Sequence, residues 1–223
     1  VEKGIRIIDN IVDGLKSLDF IDAIVLGISD GEDNEAFKTV AKEKGIEYIV
    51  GDQIDVLHRL ILCGKKVDAT DVFRVTSESP FLYHKAVNKL WKQHCSQNND
   101  ATFYEDIIDG CGFEFIQLSA LQKSYQNGLA KHRSELCSLF IREYLYEFKV
   151  QKVKVPEYLN RKDLRLTVDN PEDLVICRKI YNEFKHQAPQ INLEDIITFL
   201  DKHPGLKELT SPFTTEGYNT TNI

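Results

Sequence analysis

The sequence predicts an α/β protein: a mixed, mostly parallel sheet with helices on both faces. Three observations carry this. Short β-branched runs alternate with stretches of helical apolar spacing along the N-terminal half, and parallel strands need crossover connections long enough to hold a helix. The chain has 223 residues, enough to bury one full core. It contains no internal repeat, coiled-coil pattern or low-complexity tract that would point to another architecture.

The elements follow in order. Ile7, Ile8, Ile11, Val12, Leu15 and Leu18 share helical spacing, so a helix is expected over Ile5 to Leu18. Ile21 to Ile28 reads as a buried strand, and Ser29 to Asn34 as a polar turn. A helix over Glu35 to Lys44 is stopped by Gly45, and a short strand follows at Glu47 to Val50. Gly51-Asp52-Gln53 starts a helix carrying Ile54, Val56, Leu57, Leu60 and Ile61, and Val72 to Thr76 is the next strand. Beyond it come a helix over Tyr83 to His94, a strand at Ala101 to Tyr104, a Gly-bearing turn at Asp109 to Gly112 and a strand at Phe113 to Leu118. Helices over Ala120 to Asn127 and Ser134 to Glu147 precede a strand over Lys149 to Val155. A strand at Leu164 to Val168 runs into a helix reaching about Phe184. His186 to Gln190 reads as a linker, and Asn192 opens a helix that ends at His203-Pro204-Gly205. Residues 1–209 are therefore expected to form one domain with a C-terminal helical appendage at 186–205, followed by a flexible polar tail at 210–223.

A net charge of −7 argues against a nucleic-acid partner, whose affinity would come from neutralising phosphates. Cys63, Cys95, Cys111, Cys137 and Cys177 are odd in number and lack the close pairing of zinc sites, which suits a reducing, cytoplasmic setting. No apolar run approaches the roughly 20 residues of a membrane helix, so no membrane association is expected.

The segment Leu164-Arg165-Leu166-Thr167-Val168-Asp169-Asn170-Pro171-Glu172-Asp173-Leu174 takes an apolar run into a carboxylate and then a helix start. Asn170 suits the N-cap, Pro171 the first helical position, and Asp173 a reciprocal cap. A carboxylate at a strand's carboxyl end can hold a divalent cation against a phosphate, or it can simply open the helix. A second run, Val72 to Pro80, again carries a strand into an acid, Glu78, and a proline. Two such acids suggest one metal site. Arg74, inside that strand, needs a carboxylate or a phosphate partner. Asp55 and Arg59 sit at four-residue spacing, where a surface ion pair is the ordinary outcome, and Lys131 to Arg133 reads equally as a solvated basic turn.

Taken together, Gly51-Asp52-Gln53-Ile54-Asp55-Val56-Leu57, Arg74-Val75-Thr76-Ser77-Glu78-Ser79-Pro80, Asp109-Gly110 with Glu114, Arg133-Ser134-Glu135 and the Asp169 motif resemble the spore-coat polysaccharide type of cytidylyltransferase. That family is related to the enzymes that make CMP-activated acidic sugars. The stretch from Leu193-Glu194-Asp195-Ile196 to Pro204 fits it too, so the likeness runs along most of the chain.

The resemblance implies a Rossmann-like nucleotidyltransferase fold of the GT-A-like kind and transfer of CMP from CTP to a sugar or sugar-acid acceptor in surface-polysaccharide synthesis. Mg²⁺ is the implied cofactor, held by Glu78 and Asp169, with Arg74 as the catalytic organiser. Asp55 and Thr76 are the implied nucleotide-side residues, and Glu114, Arg133 and Glu135 face the acceptor. A homodimer is also expected. Glu78 stands where the family usually has Asp, and Arg133-Ser134-Glu135 where it has Arg-Glu-His. The family's basic, Ser-bearing loop, which resembles a phosphate-binding turn, has no counterpart from Val1 onward. A second reading therefore stands beside the first: a member that binds nucleotide or sugar phosphate without turnover, or acts as a scaffold. A dinucleotide-dependent oxidoreductase is disfavoured, because no Gly-rich fingerprint follows any strand.

Overall fold

Strand and helix alternate through the N-terminal part of the computed structural model, which describes residues 4–221. Helix α1 (Ile7–Lys16) leads to β1 (Val25–Ser29), α2 (Glu35–Lys44) crosses to β2 (Glu47–Gly51), and α3 (Val56–Lys66) crosses to β3 (Asp71–Arg74). β1 and β2 pair in parallel, Val25 opposite Glu47 through Ser29 opposite Gly51. After α4 (His84–Gln97) come β4 (Ala101–Tyr104), β5 (Phe113–Gln117), α5 (Leu118–Asn127), α6 (Leu139–Glu143) and β6 (Val150–Lys152). The second sheet has the order β3-β5-β4-β6. Helices α7 (Pro171–Phe184), α8 (Leu193–Lys202) and α9 (Pro204–Thr221) complete the chain.

The α/β class and the mixed sheet are as the sequence predicts, but the share of parallel pairing is lower. β5 runs antiparallel to both β3 and β4, while β4–β6 and β1–β2 are parallel. The connection explains it: residues 105–112 between β4 and β5 are too few for a crossover helix.

Four local expectations are corrected. The helix after β2 starts at Val56, not at Asp52, because Asp52 Oδ1 accepts from the amides of Ile54 (2.7 Å) and Asp55 (2.8 Å) in a turn. Asp55 becomes the N-cap, accepting from His58 N (2.9 Å). The single helix expected over Ser134 to Glu147 is reduced to α6 and a 3₁₀ turn, Leu145–Glu147. Tertiary bonds hold its first part out of the helix: Arg74 Nη2 donates to the Glu135 carbonyl (3.0 Å), and the Ser138 hydroxyl donates to Glu114 (2.7 Å). The Leu164 to Val168 strand is only an extended run, with one isolated bridge between Asp109 and Arg165. Pro204 does not end the C-terminal structure. It starts α9, since a proline at the first helical position gives up no needed N–H, and the expected flexible tail is helical through Thr221.

The main core holds Phe113 and Phe115 of β5, Leu90 of α4, Ile176 and Ile180 of α7, and Leu193, Ile196 and Leu200 of α8. The expected appendage is thus built into the core. His186 belongs to a 3₁₀ turn, Lys185–Gln187, and not to a linker.

His84 opens α4 against α1, where a Cβ on Gly14 would lie 3.0 Å from its ring. Its Nδ1 is buried and has no hydrogen-bond partner among the described residues. Burial pulls the imidazole down to about 4 from 6.5, so the folded protein keeps it neutral while the unfolded chain takes up a proton. Stability is therefore expected to fall as pH drops from 6.5 toward 4, by about 2 kcal/mol at pH 5. Urea unfolding at pH 7 and pH 5 checks this: His84→Gln is expected to lose most of that slope, and an unchanged slope would rule His84 out as its source.

Candidate functional site

A cavity of about 910 Å³ opens between the β1–β2 pair and β3. Its interior is apolar, with Ile8, Val12 and Leu15 from α1, Leu60 from α3, and Phe73 and Trp91. Its rim is polar, and Gln53, Arg59, Arg74, Thr76, Glu78 and Asp169 lie on it, as does the exposed Glu135.

Both acids singled out in the sequence line this cavity. Glu78 follows β3, Asp169 precedes α7, and one backbone bond ties the two segments, Val168 N donating to Glu78 O (3.0 Å). On its other side the Leu164 to Val168 run is held by Leu166 N donating to Asp109 O (2.8 Å). Gly110 permits that approach: it has φ +86°, and a Cβ there would sit 2.6 Å from the Leu166 carbonyl carbon.

Asp169 is fixed twice. Asp173, at the third position of α7, accepts from the amides of Asn170 (2.9 Å) and Asp169 (3.1 Å), which is the capping role expected of it. Arg165 then gathers three carboxylates. Its Nη1 reaches Asp109 Oδ2 (2.7 Å), its Nε reaches Asp173 Oδ1 (3.2 Å), and its Nη2 donates to Asp169 Oδ2. Burial pushes the Asp109 carboxyl up, and Arg165 pulls against that shift. The Asp169 side chain is half exposed while the Arg165 side chain is 6 % exposed, so a buried cation aims a surface carboxylate.

Glu78 accepts from the Ser77 hydroxyl (3.3 Å) through Oε2. The second oxygen of each carboxylate, Glu78 Oε1 and Asp169 Oδ1, accepts no hydrogen bond among the described residues. Two hard oxygen donors with free lone pairs at one rim suit Mg²⁺, which is usually held by one or two carboxylates together with substrate phosphates.

Arg74 pairs with an acid, as its place in a strand requires: Nη1 lies 3.2 Å from Glu114 Oε2, across the β3–β5 register. Glu114 itself is buried and does not line the cavity. Ser138 and Arg142 (2.8 Å) take its other oxygen. Burial raises its pKa, but Arg74, Arg142 and Ser138 outweigh burial and hold it below the usual carboxylate value. Arg142 passes the chain of charges on to Glu105.

Asp55 and Arg133 stand off the cavity. Arg133 Nη1 is 3.6 Å from Asp55 Oδ2, and its guanidinium covers the Tyr125 ring at 4.3 Å. The expected Asp55–Arg59 contact is replaced, because Arg59 Nη1 donates to the Asp52 carbonyl (2.6 Å). Thr76 is placed at the rim and bonds Ser79 (2.8 Å). The sequence alone pointed to no site role for Arg165 or Gln53, and for Arg59 only to a surface ion pair. For Arg165 a signal was present, a charge between two leucines of a buried run.

No family model matches the chain. Among curated proteins, an uncharacterized protein of Methanocaldococcus jannaschii, MJ1063, is 28% identical over 214 residues, covering 95% of this chain and 86% of that one. The spore coat polysaccharide biosynthesis protein SpsF of Bacillus subtilis is 24% identical over 192 residues, 82% of this chain and 76% of that protein. Among solved structures, a cytidylyltransferase from Leptospira borgpetersenii superposes with a TM-score of 0.79 at 19% identity, covering 90% of this chain and 84% of the other. A CMP:2-keto-3-deoxy-manno-octonic acid synthetase complexed with CTP gives 0.56 at 11% identity, over 79% and 88% of the two chains. The resemblance to the spore-coat type of cytidylyltransferase and the Rossmann-like nucleotidyltransferase fold are thus borne out.

Proposed function

We propose that this chain, similar in sequence and fold to cytidylyltransferases of the spore-coat polysaccharide type, transfers CMP from CTP to a sugar or sugar-acid acceptor and releases pyrophosphate. The observation that carries the reading is the meeting of Glu78 and Asp169 at one rim, joined by the Val168–Glu78 backbone bond. An acceptor oxygen attacking the α-phosphorus of a triphosphate meets a strongly anionic group. The site must therefore offset charge and hold the attack in line. Mg²⁺ bound at Glu78 and Asp169 would supply Lewis-acid polarisation of the phosphate oxygens.

The chain's own residues do the rest. Arg165 fixes the direction of Asp169 from beneath, and the Asp173 cap fixes its backbone. Glu114 holds Arg74 at the rim, where its positive charge faces the same opening as the two acids. Arg59 and Gln53 add a cation and an amide on the β2 side, and Thr76 adds a hydroxyl. Asp55 and Arg133 act together, each limiting where the other can turn. No helix among the described residues is long and apolar enough to cross a membrane.

Incubation of the protein with CTP, Mg²⁺ and a panel of sugar and sugar-acid acceptors tests the reading by pyrophosphate release and CMP-sugar formation. Turnover with at least one acceptor, abolished by EDTA and restored by Mg²⁺, is the expected result. CTP binding with no pyrophosphate from any acceptor would favour the non-catalytic binder, and absence of CTP binding would sink both readings.

A further inference from the structure

One row of side chains crosses the second sheet from the cavity rim to the far surface. Arg74 of β3 stands opposite Glu114 of β5, Glu114 opposite Phe103 of β4, and Phe103 opposite Lys152 of β6. Residues paired in this way point to the same face of a sheet, so all four project toward the layer that α6 covers, where Phe103 packs with Phe140 and Ile141. Arg142, also on α6, lies along the row with its guanidinium 4.1 Å from the centre of the Phe103 ring. The charges alternate from end to end: Arg74 pairs with Glu114 (3.2 Å), Glu114 with Arg142 (2.8 Å), Arg142 with Glu105, and Glu105 with Lys152 (3.8 Å).

Bond lengths decide which group directs which. Glu114 Oε1 accepts from the Ser138 hydroxyl at 2.7 Å and from Arg142 Nη2 at 2.8 Å, the second a short charge-assisted bond, while Oε2 meets Arg74 Nη1 at 3.2 Å. The carboxylate is therefore turned by Ser138 and Arg142, and Arg74 takes the oxygen left over. Arg142 is itself fixed along its whole fork: Nε donates to Ser138 (3.0 Å), Nη1 donates to Glu105, and the side chain is 8% exposed. Arg74 is also anchored to the Glu135 carbonyl, which Nη2 reaches at 3.0 Å. With both cations in place the Glu114 charge is divided, and Arg74 keeps uncompensated positive charge at the rim. Without Arg142, Glu114 would turn both oxygens on Arg74 and draw it off the Glu135 carbonyl into a bidentate pair.

We propose that Arg142 is a positioning residue for Arg74: acting through Glu114, it holds the Arg74 guanidinium at the cavity rim and keeps its charge available to an anionic substrate. Arg142 does not line the cavity, so its effect runs through Glu114 and Arg74. The inference rests on the nucleotidyl-transfer reading for what Arg74 acts upon, and on the row of contacts for what holds Arg74.

Crystal structures and steady-state kinetics of wild type, Arg142→Met and Arg142→Lys test it. In Arg142→Met the Arg74 guanidinium is expected to move by about 1 Å or more toward Glu114 and lose the Glu135 contact. For CMP transfer, kcat is expected to fall about 10- to 100-fold while KM for CTP changes less than about threefold. Lysine keeps the charge but cannot serve Ser138, Glu114 and Glu105 at once, so Arg142→Lys is expected to show a smaller change of the same kind, and it decides the matter if the Met variant does not fold. Arg161→Met is the control for lost stability, since it removes ion pairs with Asp163 and Asp201 that have no contact with this row; it is expected to leave kcat and Arg74 as in wild type. An Arg74 that keeps its wild-type place in the folded Arg142 variants overturns the proposal. So does a displaced Arg74 with unchanged kcat, or a fall in kcat that Arg161→Met reproduces. A wild-type protein that turns over no acceptor would sink the nucleotidyl-transfer reading instead, and the place of Arg74 in the variants would still decide whether Arg142 holds it.

Discussion

Replacing Arg165 with Met is expected to destabilise the fold by about 3–5 kcal/mol, among the largest effects of any single substitution in this protein. The side chains of Arg165 and Asp173 are 6% and 0% exposed, and Asp109 stands on the far side of the same guanidinium. Removing the cation leaves buried carboxylates facing one another without compensation, which costs far more than the pair contributes when intact. Lys is expected to recover only part of the loss, because a single ammonium cannot reach Asp109, Asp169 and Asp173 in the forked geometry of a guanidinium. The pH dependence has a fixed sign. Asp109 is already raised by burial in the folded protein, so its charged form opposes folding and protonation relieves it as pH falls. With Arg165 gone that relief grows, and the deficit of the variant is expected to shrink between pH 7 and pH 4. Urea midpoints of wild type, Arg165→Met and Arg165→Lys over that range decide it. A loss under 1 kcal/mol at pH 7 would show that the cluster is solvated and that Arg165 holds nothing in place.

How much of this was readable from residues alone differs by element, for physical reasons. Local signals survived. The Asn170–Pro171–Asp173 helix start and the Gly45 stop, at φ +60°, each depend on a few neighbouring atoms. Strand existence was legible as well, at β1, β2, β3, β4 and β5, since β-branched and aromatic runs are strong local patterns. Pairing was not. Whether β5 sits parallel or antiparallel depends on the shortness of residues 105–112, and reading those as a turn did not by itself fix its neighbour. Ser134 to Ser138 has acceptable helical character, yet Arg74 and Glu114 claim its carbonyl and hydroxyl from 61 and 24 residues away, and no local pattern carries that information. The acids of the rim were visible because each follows a β-branched run and stands two residues ahead of a proline, Glu78 before Pro80 and Asp169 before Pro171. Glu114 was noticed because a charge in a strand signals a partner, and the partners the fold supplies are Arg74, Arg142 and Ser138. Arg165 shows how that ambiguity resolves: flanked by buried Leu164 and Leu166, it had to meet acids inside the fold.

Asp169→Asn and Glu78→Gln are each expected to lower CMP transfer by about a thousand-fold while leaving the fold nearly intact. The magnitude follows from charge. Lewis-acid stabilisation of a phosphoryl transition state is worth several kcal/mol, and about 4 kcal/mol corresponds to three powers of ten in rate. The Asp169 side chain is 53% exposed, Arg165 keeps Asp109 and Asp173 when the Asp169 charge is lost, and Glu78 forms no ion pair among the described residues. Substitutions at such positions stay within about 1 kcal/mol. The two amides therefore separate a metal-holding role from a structural one, which Arg165→Met cannot do. Mn²⁺ binding followed by electron paramagnetic resonance gives a readout independent of turnover: in the presence of CTP both variants are expected to bind the ion at least tenfold more weakly. Asp169 also carries a distinguishing test of its own. Its Oδ2 already accepts from Arg165, so only Oδ1 remains for a cation, and Asp169→Glu, one methylene longer, is expected to displace that oxygen and recover little activity. Full activity in Asp169→Asn, or metal affinity equal to wild type in both amides, would remove these carboxylates from the site and leave the cap and the Arg165 cluster as the whole reason for the motif.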